Sequence, residues 1–346
     1  MRLFRNPWFV SLSVSLEDAP TAQMLRPRLQ NRGLELGIGA KSSPQMEVEG
    51  RLKTALDESR LLILGAQVLF GFQFEAVFQE LFPDIPASSR YIHCVGLVML
   101  LISICLLIAP SLFHQIMFEG ESRPDAVTMA TVLAGASLLP LTIGLGAAAF
   151  ITFEHLFSRG FGIAAGTSFT VIALGLLYGL GFALRQDRRK PMPEKQHHTP
   201  LKSKIEQMLT EARVIIPGGQ ALLGFQLMAT LTTAFSELPV MFKYVHCAGL
   251  CAVALSVVLL MTPAAVHRIG FDGEDDPAFF RIGSSLVIAG AIPLAVGIAA
   301  DVAVVFFKAT ESTDVAVAAG IGALALLLVF WLAYPVWRRS YGIRHS

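Results

Sequence analysis

"GAQVLFGFQF" (residues 65–74) returns as "GGQALLGFQL" (residues 218–227), and the same 153 positions separate "YIHCVGL" (91–97) from "YVHCAGL" (244–250). That offset also carries Pro110, His114, Pro140 and Tyr178 onto Pro263, His267, Pro293 and Trp331. A constant offset without a gap means that one structural unit is used twice. The fold therefore reduces to one unit and to the way two of them dock.

Outward from these segments the chain stays apolar. It is 54% hydrophobic and 15% charged, whereas an ordinary soluble domain has about a quarter of its residues charged. A helix that crosses a bilayer needs roughly 20 consecutive, mostly apolar residues. Each copy supplies four such stretches: 61–78, 92–113, 126–153 and 161–184 in the first, and 214–235, 244–266, 282–307 and 315–337 in the second. They do not alternate with period two, and a backbone in hydrocarbon must satisfy its hydrogen bonds within each segment, which selects helices over barrel strands. The expectation is an all-α integral membrane protein of eight transmembrane helices, arranged as two parallel four-helix repeats in a lipid bilayer.

Lys and Arg stay on the cytoplasmic side of a membrane, so their distribution orients the chain. Arg51, Lys53 and Arg60 precede the first span, eight basic residues from Arg185 to Arg213 lie between the copies, and Arg338, Arg339 and Arg344 follow the last. With Arg123, Arg268 and Arg281 one side holds seventeen, against four (Arg90, Arg159, Lys243 and Lys308) on the other. Both termini and the junction are expected in the cytoplasm, at the inner membrane. Because each copy has an even number of spans, the two insert in the same direction.

The expected organisation is an N-terminal extension without fixed structure (residues 1–50), a first membrane repeat (51–184), a basic linker (185–204) rich in proline and solvated, and a second repeat (205–346). Repeat-like sequence begins just after Met46, which marks Met46 as an alternative start of translation. His197 and His198 in the linker read as solvated residues. Cys94, Cys105, Cys247 and Cys251 all fall inside spans, where a free thiol behaves as a small apolar side chain. A net charge of +1 offers no basic surface to displace phosphate counterions, which argues against nucleic acid as a partner.

The strings "LDESRLLILGAQVLFGFQFEAVFQ", "LTEARVIIPGGQALLGFQL", "MTPAAVHRIGF" and "IPLAVGIAADVAVV" resemble the bacterial multi-pass membrane proteins of the domain of unknown function 6328 family. The resemblance covers both copies. It implies that a single four-helix unit, the size of a typical member, is here fused in tandem, and it carries no activity.

The first span of each copy is polar for a membrane helix, holding Gln67, Gln73 and Glu75 in copy one and Gln220, Gln226 and Thr230 in copy two. At about 100° per residue Gln67, Gly71 and Glu75 share a stripe while Gln73 points elsewhere, so this helix is expected to face protein on more than one side. Gln67 and Gln220 read as interhelical hydrogen-bonding groups or, alternatively, as solute contacts. A carboxylate within a span is costly. Glu75 lies just before the first outer turn and His93 just after it, so the two are candidates for a proton-exchanging couple, unless Glu75 reaches the headgroups beside Gln79 and Glu80. Copy two keeps His246 but has Met228 in place of Glu75, and it has Asp301 where copy one has Ala148. One acid per half is compatible with a cation or proton pathway between the halves.

At the cytoplasmic ends Glu58, Arg60 and His114 form one candidate cluster, and Glu211, Arg213 and His267 repeat it; each is expected to latch the first two helices of its own copy, or to anchor at the interface. Pro140 and Pro293 interrupt the third spans and predict kinks. Gly162/Gly166 and Gly175/Gly179 permit close helix approach in the fourth. The acidic connections "EGESRPD" (119–125) and "DGEDDP" (272–277) lack the ligand spacing of a calcium loop and read as solvated. No phosphate loop, nucleophile elbow or metal-protease helix is present in the sequence. The expected activity is that of a small cation or proton transporter, with a non-catalytic membrane scaffold as the alternative; an enzyme, a cofactor and a metal site are not expected, and a homo-oligomer is compatible with the pattern.

Overall fold

In the computed structural model residues 44–179, 199–271 and 274–344 are described, and these are helices and short connections without a strand. Repeat one comprises α1 (Pro44–Ala76), α2 (Ala87–Ile116), α3 (Pro124–Leu156) and α4 (Arg159–Leu174). Repeat two comprises α5 (Leu201–Ala229), α6 (Val240–Gly270), α7 (Pro277–Thr310) and α8 (Thr313–Leu328), with a C-terminal helix α9 (Tyr334–Arg344). A π-turn extends α4 over Gly175–Gly179, and another joins α8 to α9 over Val329–Ala333. Helix starts follow local chemistry: Pro124 and Pro277 open α3 and α7 at positions whose backbone N–H would be unsatisfied anyway. The Asp276 carboxylate also caps α7 by accepting from the N–H groups of Ala278 (2.6 Å) and Phe279 (3.3 Å).

Six helical stretches are long and apolar enough to cross a membrane: Ala87–Ile116, Pro124–Leu156, Arg159–Gly179, Val240–Gly270, Pro277–Thr310 and Thr313–Tyr341. The first helix of each repeat does not qualify, because its charged N-terminal half and its glutamines dilute the apolar run. The protein is thus an all-helical membrane protein with six candidate spans, and the other two helices of the expected eight are α1 and α5. Burial separates the spans by role. In α2 and α7 67% of the most apolar stretch is buried in protein, against 6% in α4, which packs mainly on α3.

Helices α1 and α5 lie side by side at the centre. Gln67 meets Gly218, Phe72 meets Phe225 with ring centroids 4.8 Å apart, and just past the two helices Phe78 meets Phe235 at 6.0 Å. Residue numbers rise together along both helices, so they are parallel and the two repeats point the same way.

Inside each repeat the second and third helices are joined by the same two devices. Ser103 Oγ donates to Ser137 O (3.1 Å), and its counterpart Ser256 Oγ donates to Gly290 O (2.7 Å). A Cβ on Gly96 would come within 2.9 Å of Ala147, and one on Gly249 within 2.7 Å of Ala300. Glycine is needed there because the helices touch backbone to side chain. Gly162 and Gly166 serve α3–α4 packing in the same way, since a Cβ on either would lie within 2.9 Å of the α3 backbone. Among the described residues Gly175 and Gly179 have nothing within 4 Å, so there the second GxxxG pair makes no close contact. Helices α3 and α7 run continuously through Pro140 and Pro293. In both, the carbonyl that accepts the serine bond lies three residues before the proline.

Helix α1 begins at Pro44, so ordered helix starts ahead of the boundary expected at residue 50 and includes Met46. Residues 1–43 lie outside the described residues, as do 180–198, which hold most of the basic linker with His197 and His198. Beyond them Thr199 is already docked and α5 starts at Leu201, before the expected residue 205. All four cysteines are free; Cys94 and Cys105 are buried, whereas Cys247 and Cys251 lie on an outer face of α6.

Candidate functional site

The three-helix junction of repeat two holds the most deeply buried polar cluster. Asp301 on α7 is fully buried and both its carboxyl oxygens accept from Gln226 Nε2 on α5, each at 2.9 Å. The backbone carbonyl of Gln226 in turn meets His246 Nε2 on α6 at 3.0 Å. One residue of α5 therefore holds the two neighbouring helices, one through its side chain and the other through its main chain. His246 is sandwiched further: Phe74 stacks on it at 5.7 Å and Phe235 meets it edge-on at 5.0 Å.

Repeat one builds the same junction without the acid. His93 Nε2 meets Gln73 O at 2.9 Å, and Phe82, the counterpart of Phe235, meets His93 edge-on at 5.5 Å. With Ala148 in place of Asp301, Gln73 Nε2 turns to the backbone carbonyl of Gly144 at 3.3 Å. A cavity of about 180 Å³ remains, lined among others by Gln73, His93, Gly144, Ala148 and Thr152.

These contacts revise the expected couple. His93 is committed to the Gln73 carbonyl and does not meet Glu75, whose only side-chain hydrogen bond among the described residues comes from Gln79 Nε2 at 3.3 Å. Glu75 lies two positions past Gln73, about 200° round the helix, and so faces away from α2's histidine. Neither Glu75 nor Asp301 lines the cavity beside His93. Gln67 is buried against Gly218 with neither amide atom bonded, and Gln220 is exposed, so neither acts as a hydrogen-bonding bridge. Gln73 and Gln226 do.

The cluster expected at the cytoplasmic ends forms across the repeats instead of within them. Glu211, fully buried on α5, accepts from Gln115 Nε2 at 2.5 Å and pairs with His114 Nδ1 at 2.5 Å, both on α2. The counterparts are not joined: Glu58 is exposed, and His267 stacks on Phe279 at 4.5 Å with its Nε2 unbonded. Arg60 and Arg213 are exposed and outside both arrangements. Next to this pair the α2–α3 connection is docked, not simply solvated. Glu121 accepts from Lys204 Nζ (2.6 Å) and from the Thr199 backbone N–H (2.9 Å), while Ser122 and Gln207 hydrogen-bond each other's side chains. Burial acts to raise the Glu121 carboxyl, but the bonds from Lys204 and Thr199 together with the lysine charge outweigh it and hold the group at about 2.

Sequence reasoning missed Gln115, whose counterpart is Arg268, and the Trp331 anchor, in which the buried indole Nε1 donates to Cys105 O at 2.9 Å across the repeats. Its counterpart Tyr178 donates to Gly135 O within its own repeat at 2.5 Å. The shared position of these two aromatic residues in the duplicated π-turns was a readable signal; the partner was not. With Ser103 and Ser256, a serine recurring at the repeat offset was an equally visible sign.

The same helices and the same histidine–carbonyl bond thus occur twice, and the match extends along the chain. The profile of a family of unknown function, DUF6328, fits residues 41–180 and again residues 194–335. The chain belongs to the DUF6328 family. It carries two tandem family units, in agreement with the resemblance of its strings. No curated protein and no solved structure matches it. In DUF6328 terms, the histidine–carbonyl junction is common to both units of this chain and Asp301 is particular to the second.

Proposed function

We propose that this protein is a non-enzymatic scaffold of the inner membrane, a helical assembly unit in which the buried polar groups bind helices to one another. The observation that carries this reading is that Asp301 and both junction histidines are each bonded to a neighbouring helix. Both oxygens of Asp301 are taken by Gln226, and both histidines by glutamine carbonyls of the neighbouring helix. Hydrogen bonds of this kind are a common packing device in membranes.

In this reading α1 and α5 also cross the bilayer, making eight spans. Helix α5 is bonded to α2 through Glu211 and to α6 through Gln226, fifteen residues further on, so it accompanies membrane helices over about 22 Å. Of its polar side chains Gln207, Glu211 and Gln226 are buried in protein. The termini and junction are cytoplasmic. Lys204–Glu121 and Arg339–Glu119 tie the start of α5 and the C-terminal helix to one end of the bundle, and Arg90–Glu311 marks the other end.

A cation or proton carrier is the second reading, and the fully buried Asp301 carboxyl favours it. Flux into proteoliposomes followed with a pH-sensitive dye separates the two. The scaffold reading expects the same trace from wild type and from protein-free vesicles; an ion-dependent signal that Asp301→Asn abolishes would establish transport.

A further inference from the structure

The contact between the two repeats is not reciprocal. A two-fold arrangement would make every contact twice, once from each side. Glu211 reaches His114, yet Glu58 and His267 stay apart. Gly71 of α1 packs under Phe225, yet its counterpart Gly224 has nothing within 4 Å. Trp331 bonds α2 of the other repeat, whereas Tyr178 turns back into its own. Repeat one thus offers one face and repeat two a different one, so a single chain leaves one unused example of each.

Among the described residues both unused faces are open. On α1, Leu61 is 75% exposed while its counterpart Val214 is buried, and Phe72, although packed on Phe225 at the repeat contact, keeps 58% of its surface exposed. On repeat two, Leu227, Leu231 and Met261 are 51%, 82% and 50% exposed, while their counterparts Phe74, Phe78 and Ile108 are buried. The charges also match. In the contact already made, Glu211 sits on His114 and Gln115; in the open one, the exposed Glu58 of one face corresponds to His267 and the exposed Arg268 of the other.

We propose that these faces join separate copies of the chain head to tail. Repeat one of a second chain docks on α5 and α6 of the first as repeat two already docks on α1 and α2, bringing Glu58 to His267 and Arg268. Phe72 packs on its own counterpart Phe225, so neighbouring units sit level along the helix direction. A heterologous contact without axial climb stays within one bilayer plane and, where the rotation from unit to unit closes, forms a ring. This inference rests on the membrane-embedded reading and is independent of whether the protein transports.

The test uses two full-length chains with different tags, co-expressed and oxidised in native membranes. One carries Glu58→Cys and the other His267→Cys, with wild type as the blank for the native thiols and Val132→Cys, on the outer face of α3, as the control. A disulfide-linked dimer bearing both tags, well above wild type and control, is the expected result. Cross-linking of Glu58→Cys only to itself would replace the ring by a two-fold contact. No dimer above the control, leaving lipid as the occupant of both faces, would overturn the proposal. As an independent reading, Arg268→Glu should lower the detergent-solubilised mass from a multiple of 37.4 kDa towards that value, and adding Glu58→Arg should restore it. Wild type at the single-chain mass would be a second refutation.

Discussion

Asp301 and Ala148 occupy the same position in two copies of one unit, and that difference decides where a glutamine amide goes. In repeat two Gln226 meets the carboxyl; in repeat one Gln73 meets a backbone carbonyl and a cavity is left beside it. Asp301→Ala should leave the Gln226 amide without its acceptor and cost about 1–3 kcal/mol. Asp301→Asn keeps a carbonyl acceptor at the same place and should cost less, both measured as thermal unfolding in detergent. Removing one partner of a buried pair leaves the other uncompensated, at about 3–5 kcal/mol. Glu211→Ala is therefore expected near the lower end of that range, and Arg213→Ala, an exposed neighbour, within about 0.5 kcal/mol of wild type.

Between helices, the repeat supplies its own control. Ser103 and Ser256 make the same bond in the two units, and interhelical bonds in membranes average about 0.6 kcal/mol. Ser103→Ala and Ser256→Ala should each shift stability by about that amount and, on separated helix pairs, should act additively. The docking of the α2–α3 connection on α5 should depend on pH. The Glu121 carboxyl is held below its ordinary value, so its contribution is fully present above about pH 4.5 and is lost as pH falls towards 2. Glu121→Gln should lower the unfolding midpoint by a few degrees at pH 7 and match wild type near pH 2. An equal difference at both pH values would contradict the role given to Lys204.

For the whole molecule, threading is the property most directly tested. Cysteines at Met46 and Glu119 should react with an impermeant thiol reagent only from the cytoplasmic side, and cysteines at Glu80 and Glu311 only from outside. Labelling of Glu80→Cys and Glu119→Cys from the same side would remove α2 as a span, and with it the parallel arrangement of the repeats. The spans of α2, α3, α4, α6, α7 and α8 were legible as long apolar runs. Helices α1 and α5 were legible as polar segments with neighbours on several sides, but their partner was not. That partner is each other, and no pattern within one copy encodes a contact with the next.

Duplication, helical class and membrane solvent follow from the chain alone, because a constant offset and an uninterrupted apolar run are properties of residue order. The histidine and glutamine positions were likewise visible, since they recur at that offset. Only the tertiary structure decided that His93 holds a carbonyl and not Glu75, and that Glu211 reaches across to His114. Both outcomes depend on helix rotation and on the angle at which one repeat meets the other. Two identical patterns give the same internal bonds, but a head-to-tail contact places equal residues in unequal surroundings, and sequence equivalence cannot reveal which copy of each is buried.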